Sequence, residues 1–313
     1  MSPTVAGNAV LLGSCAGTLY ALDRAAGTPL WSYDTRTDGS RAQFHGEPLV
    51  LGKRVIIPTD ADPQGHLYAF DTASGELLWK LAFNRGIATT PLLVDGRVIA
   101  VSAEGEIVAV DPNRGAVVWR RSIGATTLSP AAAGTRIFVA DNKNKVVALD
   151  AATGATIWQT TVSGRPNTAL VVVGKSVVLG TQDNSLNWLA LDSGDVKRRI
   201  HLDGMPYGTP ILAAPLLYVL AKGDLLALDA ESGAIRWKQQ TPREWTTYRP
   251  LVAGATIIAG TEEKTLCAFD RATGETRWCR DVGQISRGLG ISNDGVLYVG
   301  SLSGVVQAFR PEP

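Results

Sequence analysis

One motif, G-x-L-Y-A-L-D-x-x-x-G-x-x-x-W, returns along this chain about every 40 residues, and a period of that size is the mark of a repeat architecture. Gly17–Trp31 (GTLYALDRAAGTPLW) and Gly65–Trp79 (GHLYAFDTASGELLW) are the clearest copies. Weaker ones read GEIVAVDPNRGAVVW, NKVVALDAATGATIW, GDLLALDAESGAIRW and KTLCAFDRATGETRW. The motif aspartate falls at Asp23, Asp71, Asp111, Asp150, Asp229 and Asp270. Ala190 takes its place in a further copy, whose Trp position is Arg198, and Arg310 takes it in a last, truncated one. After a first interval of 48 residues these slots are 39–41 apart, which makes eight repeats.

Each repeat holds four short apolar segments separated by turn residues; in the third they read TTPLLVDG, RVIAVSA, EIVAVDP and AVVWRRS. Alternating runs of this kind, rich in Val, Ile and Leu and bounded by Gly, Asp and Asn, predict strands, here named A to D. No segment carries a sustained apolar stripe at helical period. Four antiparallel strands per repeat make a β-propeller blade, so the expected fold is all-β: an eight-bladed propeller formed by residues 1–313 as a single domain. The sequence ends just after the eighth C strand, so the last blade is expected to lack its outer strand, or to have been cut from a longer parent that supplies it.

The motif has a physical logic. Asp followed four residues later by Gly suits a tight C-to-D hairpin: the carboxylate accepts turn N–H groups and Gly takes the φ > 0 position. The Ala two residues before the Asp keeps one face thin, so that a neighbouring blade can approach. Trp31, Trp79, Trp119, Trp158, Trp237 and Trp278 then cover that contact as blade glue, each ring burying about 150–250 Å².

These copies resemble the repeats of the pyrroloquinoline-quinone (PQQ)-like eight-bladed propellers, over nearly the whole chain. That family includes quinoprotein alcohol dehydrogenases, the propeller lipoprotein of the outer-membrane β-barrel assembly machine, and sensor propellers attached to bacterial Ser/Thr kinases. The resemblance implies the fold; its motif residues are scaffold. The quinoproteins are nearly twice as long and carry adjacent cysteines and an acidic Ca²⁺ site. No Cys–Cys pair exists here, so neither PQQ nor another cofactor is expected, and the style is closer to the assembly and sensor propellers.

Function must then sit on loops. The D-to-A and B-to-C connections emerge on one face, and the second repeat adds its extra residues there, between Trp31 and Pro48 and in TDADPQGH. The D-to-A connections lead into the innermost strands and are expected to line the mouth of a central channel. They bring Arg41, Arg85, Arg165, Arg243, Arg249 and Arg287 to that mouth, with Asn167, Phe44, Tyr207, Trp245 and Tyr248. Convergent guanidiniums suit carboxylate or phosphate groups. The competing reading pairs them with Glu47, Glu244 and acidic B-to-C loops as a solvated rim.

Catalytic signals are thin. His45 and Glu47, two apart in an extended segment, point to one side and form a candidate acid/base couple, with Tyr207 or Tyr248 nearby. His66 and His201 read as surface residues. Scattered His and Cys give no metal spacing, and no metal is expected. Cys15, Cys267 and Cys279 make an odd count; Cys267 and Cys279, on the C and D strands of one blade, could lie close, but three free thiols in a reducing compartment is the favoured reading. Net charge is +1, which implies no nucleic-acid field. There is no apolar run long enough to cross a membrane and no secretory signal at Met1. The compartment is then cytoplasmic if the chain is complete, extracytoplasmic if it was excised from a membrane-anchored parent.

The favoured expectation is a monomeric, non-catalytic propeller that binds a small anionic or polar ligand, or a protein or peptide segment, through the loop face. An extended peptide could also pair with the open edge of the eighth blade. The alternative is a cofactor-free lyase, cyclase or hydrolase, for instance of secondary metabolism, acting on an anionic substrate. An enzyme predicts that His45 or Glu47 faces the arginines; a binding propeller predicts these groups paired with one another.

Overall fold

The structure, a computed structural model, describes residues 1–40, 43–61, 63–240, 249–261, 264–283, 285–301 and 305–310, the side chains of 285–287 excepted. The chain divides into two compact units, Pro3–Thr161 with Met1, and Val162–Pro313 with Ser2.

The first unit holds four antiparallel sheets of four consecutive strands each. They are β1 (Thr4–Ala6), β2 (Ala9–Gly13), β3 (Thr18–Asp23), β4 (Pro29–Asp34); β5 (Leu49–Leu51), β6 (Arg54–Pro58), β7 (His66–Asp71), β8 (Leu77–Ala82); β9 (Leu92–Val94), β10 (Arg97–Val101), β11 (Glu106–Val110), β12 (Val117–Ser122); and β13 (Ala131–Ala133), β14 (Arg136–Ala140), β15 (Lys145–Asp150), β16 (Thr156–Thr161). The second unit repeats the plan. Its sheets are β17 (Val171–Val173), β18 (Ser176–Thr181), β19 (Ser185–Ala190), β20 (Val196–His201); β21 (Pro206–Ala213), β22 (Leu216–Ala221), β23 (Asp224–Asp229), β24 (Ile235–Gln240); β25 (Leu251–Ala253), β26 (Thr256–Gly260), β27 (Thr265–Asp270), β28 (Thr276–Asp281); and β29 (Ile285–Ile291), β30 (Leu297–Ser301), β31 (Val306–Phe309). Among the described residues the last sheet has three strands. Eight up-and-down sheets in sequence order are the blades of an eight-bladed β-propeller, as the repeat count requires.

The motif residues do what the spacing predicts. At Asp23, Asp71, Asp111 and Asp270 the turn carboxylate accepts backbone N–H groups two and three residues on, and at Asp150 and Asp229 it accepts the one three residues on. The glycine that closes the turn is left-handed, with φ from 67° to 78° at Gly27, Gly75, Gly115, Gly154, Gly233 and Gly274. The Trp stands opposite the motif Ala across the C–D ladder, as in Ala69↔Trp79 and Ala227↔Trp237, with a bulge directly after it.

Between adjacent blades the indole joins the two sheets. Trp31 packs on Gly75, Trp79 on Gly115, Trp119 on Gly154 and Trp237 on Gly274. The ring nitrogens of these four donate to the carbonyls of Thr72, Pro112, Ala151 and Arg271, at 2.9–3.1 Å, each one residue past the motif aspartate. The fifth blade has no outer-strand Trp, yet the contact survives. Trp188 on the neighbouring C strand donates to the Ala230 carbonyl at 2.9 Å and covers Gly233. Trp278 departs from the expected pattern and stays 37% exposed. The cores are apolar contacts between successive blades, such as Val101, Ile107 and Ala109 with Ile137 and Val147 in the first unit, and Leu186 and Trp188 with Leu217 and Leu226 in the second.

Two expectations about single residues need correction. Cys267 and Cys279 are not free: they are directly opposed on β27 and β28 and form a disulfide, while Cys15 is a free, exposed thiol. Direct cross-strand pairing puts the two sulfurs within bonding reach, which position in sequence alone could not decide. His66 is not a surface residue but 7% exposed, packed beside the Tyr68 ring at the start of β7.

Candidate functional site

The insertion after β4 turns through a short 3₁₀ helix, Thr35–Asp38, capped by Asp34 at its start and by left-handed Gly39 at its end. It delivers Asp38 and Ser40 onto the second blade. There the Tyr33 and Tyr68 hydroxyls donate to one Asp38 oxygen at 2.9 and 3.0 Å, and Lys80 Nζ lies 3.1 Å from the other. Lys80 also donates to Ser40 Oγ at 3.0 Å and sits over the Tyr68 ring, with His66 beside it. Burial works to raise the Asp38 pKa, but the hydrogen bonds from Ser40, Lys80, Tyr33 and Tyr68 outweigh it and hold the carboxyl below its ordinary range. Burial, followed by Asp38, pushes the Tyr33 hydroxyl up to about 12 and raises that of Tyr68 as well. Burial and then the Lys80 charge lower the His66 pKa. The cluster is therefore a carboxylate ringed by protonated donors. It pins the insertion against the second blade. Sequence reading missed it because its members follow no period; the one signal was a polar insertion followed by an aromatic-rich C strand.

Beyond the insertion, the D-to-A and B-to-C connections of the first unit interlock in a row. Gln43 and Asp60 exchange backbone hydrogen bonds at 3.0 and 2.7 Å. His45 Nδ1 lies 3.0 Å from Asp60 Oδ2, with both side chains about one-third exposed. A Cβ on Gly86 would meet Asp60 Oδ1 at 2.1 Å, so the Arg85–Gly86 segment lies tightly against that loop. Arg85 Nε in turn lies 2.9 Å from Glu104 of the next B-to-C loop, and Arg120 pairs with Glu106 at 2.7 Å. Cation and carboxylate alternate along the row.

The structure distributes the sequence-derived candidates as follows. His45 faces Asp60, not an arginine, and Glu47 is half-buried. Phe44, expected as stacking surface, is fully buried in the core of the first two blades, beside Gly13. In the second unit Asn167 donates to the Pro206 carbonyl at 2.7 Å and accepts from Gln182, tying adjacent blades. Tyr207 packs against the core of its blade, while Arg165 and Arg249 are exposed. Arg41, Arg243, Glu244, Trp245 and Tyr248 lie outside the described residues, as does the Arg287 side chain. Among the described residues no group of three or more His, Cys, Asp or Glu is placed to hold a metal ion, and no helix is long and apolar enough to cross a membrane.

Comparison with known proteins adds the family. Outer membrane protein assembly factor BamB of Yersinia pestis is 27% identical over 244 residues, 74% of this chain but 59% of the relative's length. The chain thus spans well under two thirds of that protein. The crystal structure of BamB from Moraxella catarrhalis matches with a TM-score of 0.79 at 18% identity, over 99% of this chain and 96% of that one. Quinohemoprotein alcohol dehydrogenase from Comamonas testosteroni matches with a TM-score of 0.77 at 16% identity, over 95% of this chain and 69% of that one, a likeness of fold alone. The family model described as outer membrane protein assembly factor BamB matches residues 59–122 and 103–312, and the chain, a PQQ-like repeat propeller, belongs to that family.

Proposed function

We propose that this protein is a non-catalytic binding propeller serving outer membrane protein assembly, and that it presents the D-to-A and B-to-C loop face of its blades to protein segments. The observation that carries this reading is the pairing along the first unit's loop face, His45 with Asp60 and Arg85 with Glu104. A general base needs an open approach to a substrate proton. The Asp60 contact holds only Nδ1 of His45, so the reading rests on the neighbouring Arg85, which pairs with Glu104 and does not face His45 as an anionic-substrate site would require. A face of paired, half-exposed charges instead suits the polar rim of a protein interface, where it sets register and partner choice.

The contact residues we propose are Gln43, Arg85 and Glu104 in the first unit, and Arg165 and Arg249 in the second. No cofactor is part of the proposal. The Cys267–Cys279 disulfide fits an oxidising, extracytoplasmic compartment, where outer membrane proteins are assembled.

The test is genetic. Deleting the gene in its own host should lower the abundance of outer membrane β-barrel proteins. Wild type and His45→Ala should both restore it, and the Arg85→Glu, Arg249→Glu double variant should restore it poorly. Unchanged abundance after deletion, or loss of rescue by His45→Ala alone, would overturn the reading.

A further inference from the structure

We propose that His66 is a proton sensor: on taking up a proton in mild acid it drives Lys80 from its seat on Asp38 and Ser40, and so unlatches the insertion that carries Gln43 and His45 onto the loop face. As regulation of that face it rests on the reading above; the geometry that carries it needs no partner.

The insertion is held at three places. At its start the Thr35 N–H and hydroxyl both donate to the Gly17 carbonyl, at 3.0 and 2.9 Å. At its end Gln43 and Asp60 exchange main-chain hydrogen bonds. The middle hold is Asp38 with Ser40. Tyr33 and Tyr68 donate to one Asp38 oxygen, and Lys80 joins the other to Ser40. Lys80 supplies the cation of this latch.

His66 stands beside the latch in a form that gains a proton only at a cost. Its main chain is tied to Thr59: its N–H donates to Thr59 Oγ1 at 2.9 Å, and its carbonyl accepts from the Thr59 N–H at 2.8 Å. Its Nδ1 is buried with no hydrogen-bond partner. A neutral imidazole can leave one ring nitrogen bare, whereas an imidazolium carries a donor on both, and a buried unpaired donor is destabilising. Among the described residues two charges act on the ring, Lys80 from β8 and Asp38 from the insertion, and Lys80 acts the more strongly. The Tyr33 and Tyr68 hydroxyls beside them stay protonated. Asp38 already accepts from both tyrosines and faces Lys80, so a second cation competes with Lys80 for it. Lys80 is the one that can leave, because its side chain is 24% exposed on a flexible stem, while the His66 ring is buried against Tyr68. Once Lys80 swings out, Asp38 and Ser40 lose their cation and the turn loosens.

The sign follows from linkage. While the insertion is latched, burial and then Lys80 hold the His66 pKa below its ordinary 6.5; once unlatched, the ring returns toward that value. Proton uptake therefore favours the unlatched form as pH falls below about 6.5, and the gain ends at the latched pKa. Asp38, held below 3.8, stays charged throughout that window.

Amide hydrogen exchange of the 313-residue chain, corrected for the intrinsic pH dependence of exchange, reads the latch at Thr35, Gly39 and Ser40, whose N–H groups donate to Gly17, Arg36 and Thr35 carbonyls. Between about pH 7.5 and pH 5.5 their protection should fall about three- to tenfold, as a ring returning from a depressed pKa to 6.5 requires. His66→Phe, which keeps an aromatic ring, and His66→Gln, which keeps a neutral polar group, should each hold protection constant over that range. His45→Gln should fall like wild type. Constant protection in wild type, an equal fall in both His66 variants, or loss of the fall in His45→Gln would overturn the proposal. So would a His66 imidazole that titrates at or above 6.5 by NMR. No partner enters these measurements, so their failure would leave a role in outer membrane assembly standing, and failure of that role would leave the latch standing.

Discussion

Trp79 covers Gly115 with one face and spends its only hydrogen-bond donor on the Pro112 carbonyl, so it is buried and satisfied at once. Trp79→Ala should cost roughly 3–5 kcal/mol in chemical denaturation. Trp278→Ala, which removes a ring left 37% exposed, should cost about 1 kcal/mol or less. Equal losses at the two positions would mean that Trp278 is covered. A second residue-scale prediction concerns acid. The Arg277 guanidinium, with the Thr273 and Ala272 amides, holds the Asp270 carboxyl at about 2, below its ordinary 3.8. A carboxyl depressed in the folded state stabilises above its unfolded pKa, and that contribution is lost as pH falls through the folded value. Thermal melts should therefore show Asp270→Asn less stable than wild type at pH 6, with the difference shrinking between about pH 4 and pH 2. A difference constant over that range would contradict the assignment. At this scale the sequence was legible wherever residues obeyed the period, as with the turn aspartates and the outer-strand tryptophans. It was not legible for Trp188, which reaches the same contact from the neighbouring strand, nor for Phe44 and His66. At positions the motif leaves open, residue type does not say which way a side chain points.

The turns and the insertion set the element scale. Six C-to-D hairpins combine an aspartate cap with a left-handed glycine, and left-handed glycines in hairpins and in A-to-B turns do not carry the same burden. Gly115 has φ 67° and would place a Cβ 2.7 Å from the Trp79 ring, whereas Gly96 has φ 71° with nothing within 4 Å. Gly96→Ala should cost about 1–2 kcal/mol, the left-handed backbone term alone, and Gly115→Ala about 1–3 kcal/mol more, because the ring must move. Equal midpoints in denaturant would remove the indole–glycine contact from the account of blade packing. Strands B, C and D were legible from their alternation and length. The A strands are shorter than the five to seven residues expected: three residues in six of the eight blades. The 3₁₀ turn at Thr35–Asp38 left no trace in the pattern, because one helical turn held by Asp34, Tyr33 and Tyr68 needs no apolar stripe.

On the scale of the whole molecule, the number of blades followed from arithmetic on one motif, since a slot that recurs every 39–41 residues fixes where each sheet must begin. Function did not follow in the same way. The scaffold residues recur and the loop residues do not, so the copies pointed to the family, which comparison bears out, while the working face is a proposal that rests on the pairing of Arg85 and its neighbours with carboxylates. That face is the central claim. A photo-crosslinking amino acid placed at Glu104, on a B-to-C loop, and at Asn113, on a C-to-D turn, tests it in cells of the native host. The account predicts protein adducts from position 104 and none from position 113. Adducts from 113 alone would put the partner on the hairpin side and contradict it.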